Sequence, residues 1–158
     1  MTDPFKSGYA SIIGRPNVGK STLLNRLLMQ KVAVISNRPQ TTRNKITGVL
    51  HLPNAQIILV DTPGIHQSER TLNEMMVRVS VSTFSDVDLI LVMLSADTGF
   101  CDEDEFVLNS MQRVKTKKIL VINKIDLVEK NGLLSLMDEM NRKSLFEEII
   151  PISALKED

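Results

Sequence analysis

The sequence predicts an α/β fold, doubly wound about a mostly parallel six-stranded sheet with one antiparallel strand. Three observations carry this. β-rich apolar runs alternate with segments of helical spacing, the pattern of strands joined by right-handed crossovers. The run Asp88-Leu-Ile-Leu-Val-Met-Leu94 is almost continuously apolar over the length of one strand, as a strand covered on both faces must be. Polar or glycine-bearing loops follow several of the strand-like runs, and those carboxyl ends are where open α/β sheets take their ligands.

The elements follow in order. Tyr9-Ala-Ser-Ile-Ile13 reads as a strand and Thr22-Leu-Leu-Asn-Arg-Leu-Leu28 as a helix. The polar, aperiodic stretch from about Val34 to Lys45 is a long loop, and loops of that length are commonly functional. Ile46–Leu52 and Ala55–Val60 are β-rich and joined by Pro53-Asn54, a hairpin signal that supplies the antiparallel strand. Leu72, Met75, Met76, Val79 and Thr83 fall on one helical face. After the strand ending at Leu94, Asp102-Glu-Asp-Glu105 opens a helix carrying Val107, Met111 and Val114. Acidic residues suit the positive end of a helix, so this cluster is read as a solvated helix start and not as a metal site. Lys118–Ile122 is the next strand, Leu133, Leu136, Met137 and Met140 mark another helix, and Glu148–Ile152 is a last short strand.

Bulk properties narrow the function class. At 158 residues the chain makes one domain, able to bury roughly two-thirds of its unfolded surface. Charges balance at 19 basic and 19 acidic residues, and the pI lies near 6.7. That argues against strong non-specific binding of nucleic acid by this chain itself. No apolar run approaches the roughly 18 residues of a membrane span, and Met1-Thr-Asp-Pro-Phe5 lacks the features of an export signal. The single cysteine, Cys101, cannot close an intrachain disulfide, which fits a reducing compartment and a cytoplasmic location.

Gly14-Arg-Pro-Asn-Val-Gly-Lys-Ser21 matches G-x-x-x-x-G-K-[ST] in full, between a strand and a helix as that phosphate-cradling pattern requires. Backbone N–H groups from Gly14, Arg15, Asn17, Val18 and Gly19 frame the anion, with Pro16 in the same nucleotide-binding loop and the glycines supplying room. The helix opening at Lys20 directs its unpaired amides at the same charge. Lys20 adds a mobile cation for the β- and γ-phosphates, Ser21 a hydroxyl for Mg²⁺, and Thr22 a contact to the α-phosphate.

Asp61-Thr-Pro-Gly64 ends the second hairpin strand. Asp61 is suited to hold Mg²⁺ directly or through water, and the Gly64 amide to sense the γ-phosphate. Asn123-Lys-Ile-Asp126 decides the base. A carboxylate only accepts hydrogen bonds, so Asp126 pairs with the ring N–H and exocyclic amino group of guanine and meets an unpaired acceptor on adenine. Asn123 can stitch neighbouring loops and reach the base, the Lys124 stem can cover its face, and Ser153-Ala154 offers a backbone amide to the guanine oxygen.

These segments, with Pro39-Gln-Thr-Thr-Arg43, Asp61-Thr-Pro-Gly-Ile-His66 and Pro151-Ile-Ser-Ala154, resemble the GTPase domain of Era-type GTPases over nearly the whole chain. The resemblance implies Mg²⁺-dependent binding and hydrolysis of GTP to GDP, in a switch that assists small-subunit ribosome assembly with small-subunit rRNA and a 30S-type subunit as partners. It leaves room for peripheral membrane contact. Thr42 matches the family's Mg²⁺-ligating threonine, with Thr41 the less favoured choice. Val34–Lys45 and Asp61–Leu72 match the two switch segments. In the family an RNA-binding KH domain follows; residues 1–158 correspond to the GTPase domain short of its last helix. From that we expect an apolar patch near Ile12 and Ile150, with reduced stability or self-association.

Ras-like enzymes orient the attacking water with a glutamine after Asp-x-x-Gly, where this chain has Ile65. The resemblance implies a K⁺ ion held partly by Asn17 in its place, hence slow turnover that is faster in K⁺ than in Na⁺. The expected catalytic group is therefore Lys20, Thr42, Asp61, Gly64 and Asn17. His66 is read as a bystander in its loop, and Arg43 and Arg15 as surface or RNA-facing charges, with the Arg15 side chain turned from the phosphates. Two alternatives stand beside this reading: a P-loop ATPase or small-molecule kinase, opposed by Asp126, and a nucleotide-bound scaffold with negligible turnover.

Overall fold

The computed structural model of the chain describes residues 4–30, 45–61, 84 and 86–156. The expected helix around 72–83 and most of both switch segments lie outside them. Within them the chain runs β1 (Lys6–Ile13), α1 (Lys20–Gln30), β2 (Lys45–Leu52), β3 (Ala55–Asp61), β4 (Leu89–Ser95), α2 (Asp102–Ser110), β5 (Lys117–Asn123), a 3-10 turn (Ile125–Leu127), α3 (Lys130–Arg142) and β6 (Glu148–Pro151).

The strands form one six-stranded sheet in the order β2-β3-β1-β4-β5-β6. β1 pairs in parallel with β3 on one side and β4 on the other. β5 and β6 continue the parallel set, while β2 alone runs antiparallel, against β3. This is the mixed sheet the sequence predicts. The chain starts at the middle of the sheet and builds outward in both directions, so the topological switch falls at β1. A crevice forms at the carboxyl end of such a strand, because the connections on its two sides leave toward opposite faces.

Side-chain alternation fills both faces. From β4 and β5, Ile90, Val92, Leu94, Leu120 and Ile122 point to one side, where they pack with Leu108 of α2 and Leu136 and Met140 of α3. Met93 and Val121 point to the other, with Val18, Ile12 and Leu23 of α1. Every one of these β4 and β5 residues is buried or nearly so, which explains why the β4 sequence carries no polar alternation. Ile150 of β6 is exposed while Ile12 is partly covered.

The fold corrects one boundary. The apolar spacing Val107, Met111, Val114 predicts helix to Val114, whereas α2 ends at Ser110 and the chain continues in tight turns, with Val114 N–H donating to Met111 O. Met111 and Val114 remain buried, so periodic burial alone did not separate a helix from the turns that prolong it. The buried Lys118 ammonium closes this segment by donating to the Val114 and Thr116 carbonyls. That burial holds its pKa below the usual lysine range.

Candidate functional site

The loop 14–19 leaves β1 at the switch point and turns into α1. Gly14 sits against β4: a Cβ there would lie 2.5 Å from the Met93 carbonyl oxygen. Asn17 and Gly19 both have left-handed backbone angles, φ 65° and 102°. Left-handed residues in a short loop turn successive N–H groups toward a common centre, the geometry of an anion nest. At Gly19 a side chain is excluded twice over, by φ and by the Asn123 amide, on whose Nδ2 a Cβ would fall.

Lys20, the first residue of α1, curls back over the loop. Its ammonium donates to the Gly14 and Arg15 carbonyls, both at 2.7 Å. Burial and then the nearby Arg15 guanidinium bring its pKa down to about 8. An ammonium held by two neutral carbonyls in a site that disfavours its charge gains by exchanging them for a polyphosphate. Ser21 and Thr22 are exposed on the first turn of α1.

Asn123, the last residue of β5, is 3% exposed. Its Nδ2 donates to Val18 O and its Oδ1 accepts from Ala154 N–H, each at 2.9 Å. The stitching role expected from the sequence is thus present, and both polar atoms of the side chain are occupied by it. The Ala154 amide, expected to serve a guanine oxygen, is donated to Asn123 here, so serving a base requires sharing or exchange. Arg26 of α1 reinforces the same junction by donating to the Ala154 and Leu155 carbonyls, at 3.2 and 2.8 Å. Ile125 N–H donates to Ile152 O at 3.2 Å, tying the two base-side loops together.

Asp126 lies in the 3-10 turn that follows Lys124, whose φ of 63° makes the sharp exit from β5. Asp126 Oδ1 accepts from Ser153 Oγ at 2.7 Å, and Lys156 Nζ stands 3.5 Å from Oδ2. The Ser153 hydroxyl first, and Lys156 with it, hold the Asp126 carboxyl below the usual carboxylate range. It is therefore an ionised acceptor at neutral pH. Lys124 Nζ pairs with Asp97 Oδ2 at 3.3 Å, and Asp97 in turn accepts from the Ser95 hydroxyl. That hydroxyl, followed by Lys124, depresses the Asp97 pKa.

The structure therefore brings together Gly14, Arg15, Pro16, Asn17, Val18, Gly19, Lys20, Asn123, Lys124, Asp126, Ser153 and Ala154 at one end of the sheet, with Ser21 and Thr22 beside them. Asp61 is the final residue of β3, paired across to Lys45 at that same end. Its side chain, and Thr41, Thr42, Arg43, Gly64, Ile65 and His66, lie outside the described residues. Two readings change. Arg15 is not a free surface charge: its side chain, 12% exposed, is paired with Asp104 at 3.1 Å. The acidic start of α2 is not wholly solvated either, since Asp104 is 1% exposed while Asp102, Glu103 and Glu105 are open to solvent.

Sequence reasoning missed Asp97, Asp104, Arg26 and Lys156. For Asp97 a signal existed: Ser95-Ala-Asp-Thr98 follows β4 at the same carboxyl edge as the other loops. For Asp104 and Arg26 none did, because their partners are 89 and 128 residues away.

A family model described as 50S ribosome-binding GTPase matches residues 9–124, from β1 through the β5 exit. The chain belongs to this GTPase family. Among curated relatives of the family, it is 49% identical over 154 residues to GTPase Era of Ruminiclostridium cellulolyticum, covering 98% of this chain and 52% of that protein. It is 48% identical to GTPase Era of Geotalea daltonii, covering 98% of this chain and 52% of that protein. The chain thus spans about half the length of the curated relatives it matches. Among solved structures it is similar to a variant of Aquifex aeolicus Era bound to GDP.AlF4- at TM-score 0.72 and 43% identity, covering 97% of this chain and 53% of that one. It is also similar to Era in complex with MgGDPNP and nucleotides 1506–1542 of 16S ribosomal RNA, at TM-score 0.73 and 43% identity, covering 97% of this chain and 53% of that one. The FeoB G-domain of T. maritima, at 22% identity and TM-score 0.61, shares the GTPase-family fold.

Proposed function

We propose that this chain is a GTP-binding and GTP-hydrolysing switch domain of Era type. The observation that carries the reading is Asn123. One buried amide joins the phosphate loop to the 153–154 loop, and three residues on stands Asp126, an ionised acceptor held by Ser153 and Lys156, whose oxygens a base would share with them or take over. A triphosphate in the 14–21 nest then places its base against Asp126, which favours guanine over adenine.

Lys20 would leave the Gly14 and Arg15 carbonyls to neutralise the β- and γ-phosphates. The left-handed residues Asn17 and Gly19 fit an amide nest for the same groups. Ser21, with Thr42 and Asp61, would be the oxygen donor set for Mg²⁺, which when bound would offset charge on the phosphate oxygens. Water would attack the γ-phosphorus in line, GDP leaving with the bridging oxygen and the γ-phosphoryl group ending as inorganic phosphate; Asn17 would be a partial holder of a K⁺ ion, which would supply positive charge there. Thr42 and Gly64 sense the γ-phosphate, and their segments relax once it is gone.

We assign the switch to small-subunit assembly in the cytoplasm; the complex of a relative named Era with a 16S rRNA fragment supports the RNA partner. We follow the relatives named Era over the 50S wording of the family model because the identity extends across 98% of the chain. No described helix is long and apolar enough to cross a membrane.

Calorimetric titration with GDP, a non-hydrolysable GTP analogue and ATP tests the pocket and its base choice. Tight guanine-nucleotide binding with ATP at least a hundredfold weaker is expected; equal affinities would overturn the assignment. Phosphate release measured in K⁺ and in Na⁺ separates a working switch, faster in K⁺, from a nucleotide-bound scaffold with no turnover in either salt.

A further inference from the structure

The phosphate loop is anchored from outside by a residue that no motif contains. Asp104, in the first turn of α2, accepts from Arg15 Nε with both carboxylate oxygens, at 3.1 and 3.2 Å. Oδ2 also takes the Cys101 N–H at 3.3 Å and the Cys101 thiol at 3.2 Å. Arg15 completes its fork by donating Nη2 to Thr98 Oγ1, and Thr98 donates to Ser95 O at 3.3 Å. The Arg15 side chain is thus gripped by α2 and by the loop leaving β4. Its own carbonyl oxygen holds the Lys20 ammonium at 2.7 Å.

Asp104 also closes a capping box at the start of α2 by taking the Cys101 N–H, but a cap requires neither burial nor a bidentate cation, and a carboxylate buried to 1% exposure is costly unless a cation compensates it. The compensating cation belongs to the phosphate loop, 89 residues earlier in the chain. We propose that Asp104 is a positioning residue for phosphate binding: by fixing Arg15 it sets the path of residues 14–16 and with it the place of the Lys20 ammonium. Asp104 touches no nucleotide in this account and acts only through Arg15. The proposal rests on the nucleotide-binding reading above.

The test is binding of GDP and of guanosine to wild type, Asp104→Asn, Arg15→Lys, Arg15→Ala and Asp104→Asn/Arg15→Ala. Glu103→Gln, altering an exposed neighbour, is the control. Asp104→Asn should weaken GDP binding about tenfold, the size seen when a group supporting a ligand-contacting residue is removed. The loss should appear in the dissociation rate. Guanosine, which has no phosphate, should bind Asp104→Asn as it binds wild type, whereas general loosening of the domain would weaken both. In the Arg15→Ala background Asp104→Asn should cost nothing further. Arg15→Lys keeps the charge, loses the fork, and should fall between wild type and Arg15→Ala.

Losses that add in the double variant, equal losses for GDP and guanosine, or GDP binding by Asp104→Asn within twofold of wild type would each overturn the proposal. Should Asp104→Asn not fold, the Arg15→Lys and Arg15→Ala comparison of GDP with guanosine decides it by the same criterion. A wild-type chain that binds no GDP would instead remove the nucleotide reading on which it rests.

Discussion

Asn123 and Val18 are 105 residues apart in sequence and joined by a buried 2.9 Å hydrogen bond. With its second bond to Ala154 N–H, the Asn123 side chain makes the phosphate loop and the base-side loop one unit. Removing it orphans a buried carbonyl and a buried amide, each costing about 1–3 kcal/mol. Asn123→Ala should therefore lower stability by about 2–6 kcal/mol in urea unfolding. It should weaken both GDP and guanosine, since both halves of the site lose their common support. Wild-type stability in this variant would mean the bond is dispensable.

Asp126 decides the base by being an acceptor only. Asparagine at that position presents one acceptor and one donor, which clash with the 2-amino group of guanine and suit the 2-oxo group of xanthine. Asp126→Asn should lose guanine-nucleotide affinity by about a hundredfold or more and prefer the xanthine nucleotide. Competition between GDP and XDP measures it, and an unchanged preference for GDP would place the base elsewhere.

The Lys20 pKa gives a pH signature. In the folded, ligand-free protein it is lowered from 10.5 to about 8, so between those values the folded state holds fewer protons than the unfolded one. Stability of the ligand-free protein, relative to Lys20→Met, should rise as pH climbs through that window. Phosphate binding favours the protonated form, so GDP affinity should run the opposite way. It should be flat below pH 8 and weaker by about tenfold at pH 9. Lys20→Met should remove this inflection, while a pH-independent affinity in wild type would show that Lys20 does not titrate against the ligand.

Gly19 is closed to any side chain by its φ of 102° and by the Asn123 amide lying where a Cβ would go. Gly19→Ala should cost about 1–3 kcal/mol in backbone strain alone, and further stability through the displaced Asn123. GDP binding should be lost even at temperatures where the variant is folded. Calorimetry beside a thermal melt checks both, and near-wild-type GDP affinity would show that the loop can open without harm.

How much of this was legible beforehand depends on the range of the interaction. Everything written in a contiguous stretch could be read: the alternation of strands and helices, the glycine-framed loop at 14–21, the acceptor at Asp126, and the apolar β4 covered on both faces. Local rules suffice there, because spacing along the chain fixes which residues share a face or a turn. The acidic start of α2 shows where such rules stop. Asp102, Glu103 and Glu105 behave as the helix dipole alone would have them, while Asp104 is drawn into the interior by Arg15. The Asp104 charge is buried because a partner from 89 residues earlier in the chain arrives to meet it. The same holds for Asn123, whose two bonds could be anticipated in kind but not in partner, and for Asp97 against Lys124. Local patterning along the chain was enough for the fold class and for the chemistry available at each strand end. Tertiary structure decided which groups are buried and already engaged, since only the closed sheet brings residues 15 and 104, or 18, 123 and 154, within hydrogen-bonding distance.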